Sequence, residues 1–383
     1  MHFAPLSKCI FFVMKKSDLI KFIEDWAPGG AAWQKDNPGL QVGYPEQEVK
    51  NILICLEVTE RTIKEAIRKN CNLIISHHPL IFTPLRRITP KSDKISKLIH
   101  LLIKSEITLF SAHTNLDFTK DGVSFQLAKK MELLNIKFLK NLDSSQKKVV
   151  VFVPLSHLNQ VSEAVFNAGG GVIGDYSNCS YRATGQGTFF GASNTKPAVG
   201  EKEKFETVEE TRLEVLIDNW HLNKVISAII KAHPYEEPAY DIYPVENKNA
   251  NFGMGAVGEL KNPLTEEEFI KHVAVKLKNE NLKYVTGEKR RISRVAVCGG
   301  SGSDLLGEAV KNNADAFITA DVKYHTFHDA EGAILLIDAG HYETEVVVLN
   351  EIKKRVEKFI GDKKSIKVYT FDKTNPIKNL KIF

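Results

Sequence analysis

The sequence predicts an α/β protein: a discontinuous domain of two α/β blocks with largely parallel sheets, interrupted by an α+β insert of ferredoxin-like pattern. Three observations carry that expectation. Near both ends of the chain, helical periodicity alternates with short β-branched apolar runs, the grammar of a parallel sheet covered by helices. In the middle, that alternation gives way to two strand–helix–strand units around a polar stretch rich in Ser, Thr and Gly. The length of 383 residues suits two or three domains of about 100–200 residues each. The expected boundaries are an extension over 1–13, which also reads as an upstream start, a first block over 14–144, the insert over 145–258 and a second block over 259–383.

In the first block the periodicity predicts a helix over 18–26, with Ser17 or Asp18 as N-cap, then a strand over 51–58 and a helix over 60–70. A strand over 72–76, a helix over 93–105, a strand over 108–111 and a helix over 123–134 follow. The insert reads as a strand at 148–153, a helix at 158–168, a Gly-rich turn, the polar stretch 176–205, a strand at 212–217, a helix at 222–232 and a strand at 240–244. After Thr286 the first grammar returns, with strands at 294–298, 316–319, 334–338 and 366–371, and helices at 305–313, 322–330 and 343–359.

Composition bounds the function. Hydrophobic residues at 43% and charged residues at 26% exclude a disordered or collagen-like chain. A net charge of +5 over this length is too dilute for a dedicated nucleic-acid binder. The five cysteines lie far apart without metal-ligand spacing, so neither a zinc knuckle nor a disulfide framework is expected, and a reducing cytoplasm fits best. The apolar run Cys9–Met14 is too short to span a bilayer and lacks a cleavage site, so neither a membrane partner nor export is expected.

Four chemistry-bearing clusters each follow a predicted strand: His77-His78-Pro79, His113-Thr-Asn-Leu-Asp117, Gly299-Gly-Ser-Gly302 and Gly340-His341-Tyr-Glu-Thr-Glu345. Ligand crevices of parallel α/β sheets lie beyond the carboxyl ends of the strands, so the four can converge on one site. Adjacent side chains on a regular strand point to opposite faces. His77 and His78 can therefore serve one site only if the strand ends there, as Pro79 suggests. Two ordinary surface histidines would look the same. His341 and Glu345, four apart on a predicted helix, share a face, as a solvated helix pair also would. Asp117 offers a hard oxygen, and equally suits a turn before the next helix. Three His and two carboxylates suit Zn, Fe or Mn in an open site for two divalent ions. The Gly299–Asp304 turn reads either as a phosphate cradle or as a plain βα turn, and His325 and His328 either as proton relays or as surface residues.

Asp36-Asn-Pro-Gly-Leu-Gln-Val-Gly43, His77-His-Pro79, His113-Thr-Asn-Leu-Asp117, Thr319-Ala-Asp321 and Gly340-His-Tyr-Glu-Thr-Glu345 together resemble the NIF-three-like dinuclear metal-centre proteins, known as GTP cyclohydrolase I type 2 homologues. The resemblance runs from about Met14 to the C-terminus. It implies that His77, His78, Asp117, His341 and Glu345 ligate the metals, with Glu345 bridging, and that the chain forms a toroidal homohexamer from dimers or trimers. The middle segment, with His233-Pro-Tyr-Glu-Glu-Pro238, is similar to the PII-like and CutA-like insert of longer bacterial members, which implies either a small-molecule or metal sensor or a trimeric lid. Two prolines and Tyr235 also suit a purely structural loop. Thr344 and Ala320 depart from the family's usual serine and glycine; neither is a ligand position.

The expected function is metal-dependent hydrolysis of an unidentified small molecule, with a phosphate-bearing or GTP-like substrate as the narrower form, in which a metal-generated hydroxide attacks the substrate. His113, His325 and Glu343 are the candidates for proton transfer. The rival expectation is a non-catalytic ring that stores or delivers metal or binds a partner. DNA threading such a ring would require a basic lumen and a steep salt dependence of binding.

Overall fold

A computed structural model describes residues 14–378 apart from 92, 144, 289 and 362–364. The expected extension over 1–13 lies outside the described residues. The chain divides into two compact units, Met1–Leu139 together with Gly255–Phe383, and Lys140–Met254.

The first unit holds two sheets. One has the spatial order Gly39–Val42, Thr108–Ser111, Leu73–Ser76, Ile52–Cys55, Val368–Phe371. Its last four strands run parallel, while Gly39–Val42 adds antiparallel at the edge. The three central strands are buried at every position, because helices cover both faces. Ile52, Ile54, Leu73, Ile75 and Phe110 pack against Leu19 and Ile23 of helix Lys16–Trp26 and against Val348, Ile352 and Val356 of helix Val348–Ile360. Leu53, Ile74 and Leu109 face Ile63 of helix Glu60–Arg68 and Leu98 and Leu102 of helix Lys94–Lys104.

The second sheet of this unit has the order Lys283–Val285, Leu335–Asp338, Ala316–Ala320, Arg291–Ser301, Gly253–Thr265, Leu134–Asn141. Its centre is parallel, but Lys283–Val285 and Gly253–Thr265 pair antiparallel with their neighbours. The sheets are therefore mixed. Val295, Val297, Ile318 and Ile337 bury against Leu127 and Met131 of helix Val123–Lys130 and against Phe269 and Val273 of helix Glu266–Leu277.

Several expected elements need correction. The first helix begins at Lys16 with Lys15 as N-cap; Asp18 is its third residue and accepts the Lys15 backbone N–H at 3.0 Å. The helix expected to reach Leu134 stops at Lys130, where Glu132 takes φ 62° and the chain turns into strand Leu134–Asn141. The long helix over 343–359 is two, His341–Glu345 and Val348–Ile360. The strand expected to end at Cys298 runs on to Ser301.

The second unit is a four-stranded antiparallel sheet in the order Tyr181–Phe190, Phe205–Asp218, Gln146–Pro154, Tyr240–Val245. Helices Leu158–Asn167 and Leu222–Ala232 supply Val161, Val165, Val225 and Ile229 to a core with Val149, Val151, Val153, Leu213, Val215 and Ile217. These strand residues alternate along the chain, so both helices lie on one face of the sheet. The polar stretch 176–205 contains a full edge strand, Tyr181–Phe190, where none was expected. Among the described residues, no helix is long and apolar enough to cross a membrane.

Candidate metal centre

Strand Leu73–Ser76 ends where its pleat ends. The consecutive N–H groups of His77 and His78 donate to Cys55 O and Leu56 O, both at 3.0 Å, whereas a regular strand alternates the direction of its N–H groups. Both imidazoles therefore turn to one side, their ring centroids 4.9 Å apart. The other strand ends deliver the remaining side chains. His113 and Asp117 flank the short helix Thr114–Asp117 after Thr108–Ser111, and His341 and Glu345 open and close the short helix after Leu335–Asp338.

Each imidazole presents Nδ1 to an acceptor. His77 Nδ1 lies 2.8 Å from Ala112 O, His113 Nδ1 2.8 Å from Asp36 Oδ1 and His341 Nδ1 2.6 Å from Asp321 Oδ2. His78 Nδ1 sits 2.8 Å from Glu57 Oε1, but outside hydrogen-bond geometry. That leaves the four Nε2 atoms as the inward-facing donors, the arrangement in which a second residue orients a metal-binding histidine. His78 Nε2 is 3.0 Å from Glu345 Oε2, and His341 Nε2 is 3.0 Å from Glu345 Oε1. His77 Nε2 is 3.6 Å from Asp117 Oδ1 and 3.8 Å from Glu345 Oε1.

Several of these atoms remain unsatisfied by one another. His77 Nε2, Asp117 Oδ1 and Glu345 Oε2 are buried and have no hydrogen-bond partner. Orphaned buried donors and acceptors of this kind are costly unless something else satisfies them. A divalent cation does so, and two overlapping sets could hold one: His77, His78 and His113, and His78, His341 and Glu345, each with ligand atoms within 4.8 Å of one another.

The charges are set by the same packing. Burial pushes the Glu345 carboxyl up, but the His341, His77 and His78 imidazoles hold it well below the usual range. Burial lifts Asp117 to about 7 against the pull of His77. Asp36 is also raised by burial, yet hydrogen bonds from His113 and Thr114 bring it down to about 2, so it stays an acceptor for His113.

Gly300 makes room for the cluster. It takes φ 63°, and a Cβ there would lie 2.2 Å from Glu345 Oε1 and 3.3 Å from His341 Nε2. The phosphate-cradle expectation for Gly299–Asp304 fails on the same stretch. The Gly300 and Gly302 N–H groups already donate to Thr344 Oγ1 and Thr319 Oγ1, each at 3.0 Å, and the helix beyond, Leu306–Lys311, is short.

A family profile described as Duf34/NIF3 (NGG1p interacting factor 3) matches residues 14–376. The chain belongs to the Duf34/NIF3 family. Proteins named GTP cyclohydrolase 1 type 2 homolog from Halalkalibacterium halodurans and Bacillus subtilis are each 38% identical over 348 residues, 90% of this chain and 93% of theirs. A crystal structure of a Bacillus cereus protein related to NIF3 superposes with a TM-score of 0.80 at 36% identity, covering 96% of this chain and all of that one.

In this Duf34/NIF3 chain the cluster gathers His77, His78, Asp117, His341 and Glu345, and adds His113 as a further donor. Two expected proton carriers lie apart from it. Glu343 accepts from Asn375 Nδ2 at 3.0 Å, and His325 is exposed, its ring edge-on to Tyr324. Sequence reasoning missed Asp36, Glu57 and Asp321 as the carboxylates behind the histidines. Asp36 and Asp321 stood inside quoted motifs, whereas Glu57 carried no signal beyond its place after a buried strand.

Proposed function

We propose that this chain is a metal-dependent hydrolase whose centre takes a pair of divalent cations, Zn, Fe or Mn, on His77, His78, Asp117, His341 and Glu345. One observation carries the reading: imidazoles oriented through Nδ1 and two buried carboxylates aim atoms at a common centre while leaving His77 Nε2, Asp117 Oδ1 and Glu345 Oε2 without hydrogen bonds. The nitrogen and oxygen donor set, free of thiolate, suits those ions in a site that stays open to solvent and substrate. When bound, the pair supplies Lewis acidity for a carbonyl or phosphoryl oxygen and acidifies water.

The chain's own residues do the rest. Asp36, Glu57 and Asp321 select which imidazole nitrogen faces inward, and Glu345, reached by both His78 and His341, is the bridging carboxylate. In this reading His113 carries the proton, because it stands beside the donors with Nδ1 held by an ionised Asp36. The name carried by the curated relatives supports a guanine nucleotide as the narrower choice of substrate. The antiparallel strand order and one-sided helices of the second unit support its reading as a ferredoxin-like insert of the PII and CutA kind. Assembly into a toroidal homohexamer belongs to the same proposal.

Elemental analysis of untagged protein tests the centre. About two ions per chain are expected, falling in Glu345→Ala. Protein that cannot be loaded with Zn, Fe or Mn overturns the reading.

A further inference from the structure

The motif His233-Pro-Tyr-Glu-Glu-Pro238 is not used by the metal centre, and its first residue has a structural job. His233 is buried; its Nε2 lies 2.9 Å from Phe152 O and its Nδ1 accepts the Tyr235 N–H at 3.1 Å. The ring thereby clamps the segment against strand Gln146–Pro154, and Tyr235 is carried into the wall of a cavity of about 750 Å³ lying wholly within the second unit. That volume is in the range of small-molecule sites, about 300–1,000 Å³.

The wall is chemically specific. Phe152 and Arg212 are a cross-strand pair on the sheet face opposite the helices, and Glu210 lies two residues from Arg212 on that same face. Arg212 does not neutralise Glu210: its guanidinium carbon lies 5.9 Å from the centre of the Phe152 ring and its Nε 2.8 Å from Glu214 Oε1, so it covers part of that ring. Glu210 has no ion-pair partner among the described residues, and its carboxylate reaches across strand Tyr181–Phe190 to where a Cβ on Gly187 would stand, 2.2 Å from Oε2. Tyr235 Oη is buried; burial and the Glu210 carboxylate beside it push the phenol up, and no geometrically sound hydrogen bond satisfies it. Glu236 anchors the opposite rim by accepting the Lys196 N–H at 3.2 Å.

We propose that this cavity binds a small organic amine, its ammonium or guanidinium group held by Glu210 and Tyr235 Oη and its carbon body lying against Phe152. A carboxylate without a cation, a phenol beside it and an aromatic ring are the groups that recognise an organic cation. The site is independent of the metal centre.

Calorimetric titration of the full-length protein with tryptamine, agmatine and spermidine tests this, with tryptophol as the neutral counterpart of tryptamine. At least one amine binds with a submillimolar Kd, tryptophol binds at least tenfold more weakly than tryptamine, and Glu210→Gln weakens amine binding at least tenfold while metal content and circular dichroism stay unchanged. Tyr235→Phe, which keeps the ring, weakens it a few-fold. Silence from all three amines at 10 mM, tryptophol binding as well as tryptamine, or amine binding indifferent to Glu210→Gln overturns the proposal. So does amine binding displaced by Mn²⁺ alone at equal concentration, which would make the carboxylates a simple metal site.

Discussion

At the scale of single residues, two positions show how tightly local chemistry is set. Gly300 faces the Glu345 carboxylate so closely that one methyl group would lie 2.2 Å from Glu345 Oε1. Gly300→Ala should therefore lower metal affinity at least tenfold, as read by competition against a chromogenic chelator, and lower the melting temperature because alanine is strained at φ 63°; unchanged affinity would show that Glu345 can move aside. Lys16 is the other. It is fully buried, and its Nζ donates to two neutral acceptors, Gln47 Oε1 at 2.8 Å and Thr108 Oγ1 at 3.0 Å. Burial, aided by Lys50, lowers it from 10.5 to about 8. Between those two values the unfolded chain keeps a proton that the folded chain sheds, so this residue makes stability rise with pH across the window. Urea melts at pH 7 and pH 10 should show the native protein gaining on Lys16→Met at the higher pH. A gap that ignores pH would mean that Lys16 titrates normally. Lys16 did not stand out in the sequence, and Gly300 did so only as part of the Gly299–Gly302 turn, because a glycine's neighbour and a lysine's burial are both decided by distant chain.

Among the elements, those with a strong local period were legible and those defined by partners were not. Strand Thr108–Ser111 and helix Leu222–Ala232 lie where periodicity put them. Strands Gly39–Val42, Tyr181–Phe190 and Lys283–Val285 were missed; each sits at a sheet edge and is partly exposed, so its pattern is polar and its identity comes from the strand it joins. Helix Glu266–Leu277 was missed although its start is written locally, for Thr265 and Glu268 form a reciprocal capping box. Removing that cap with Thr265→Ala should cost about 1 kcal/mol in chemical denaturation. No loss would mean that packing through Phe269 and Val273 alone defines the helix start. The donors of the metal centre were legible for a related reason: His77, Asp117, His341 and Glu345 all follow buried apolar strands, and the ends of such strands can be read without knowing the sheet order.

For the whole molecule, the division into two units follows the cores. The second unit has its own apolar cluster, in which Ile229 is fully buried. Ile229→Ala should destabilise that unit by about 2–5 kcal/mol. Hydrogen exchange should then quicken over 140–254 while metal content holds. Equal quickening over the strands around His77 would show that the two units unfold as one. The discontinuity of the first unit has a consequence in time. His77, His78, His113 and Asp117 emerge early from the ribosome, but His341 and Glu345 follow about two hundred residues later. At ~10 residues per second the first half of the donor set waits about twenty seconds for the second. Through that interval a nascent chain holds three histidines and an aspartate without His341 and Glu345, so the complete cluster exists only in the finished protein.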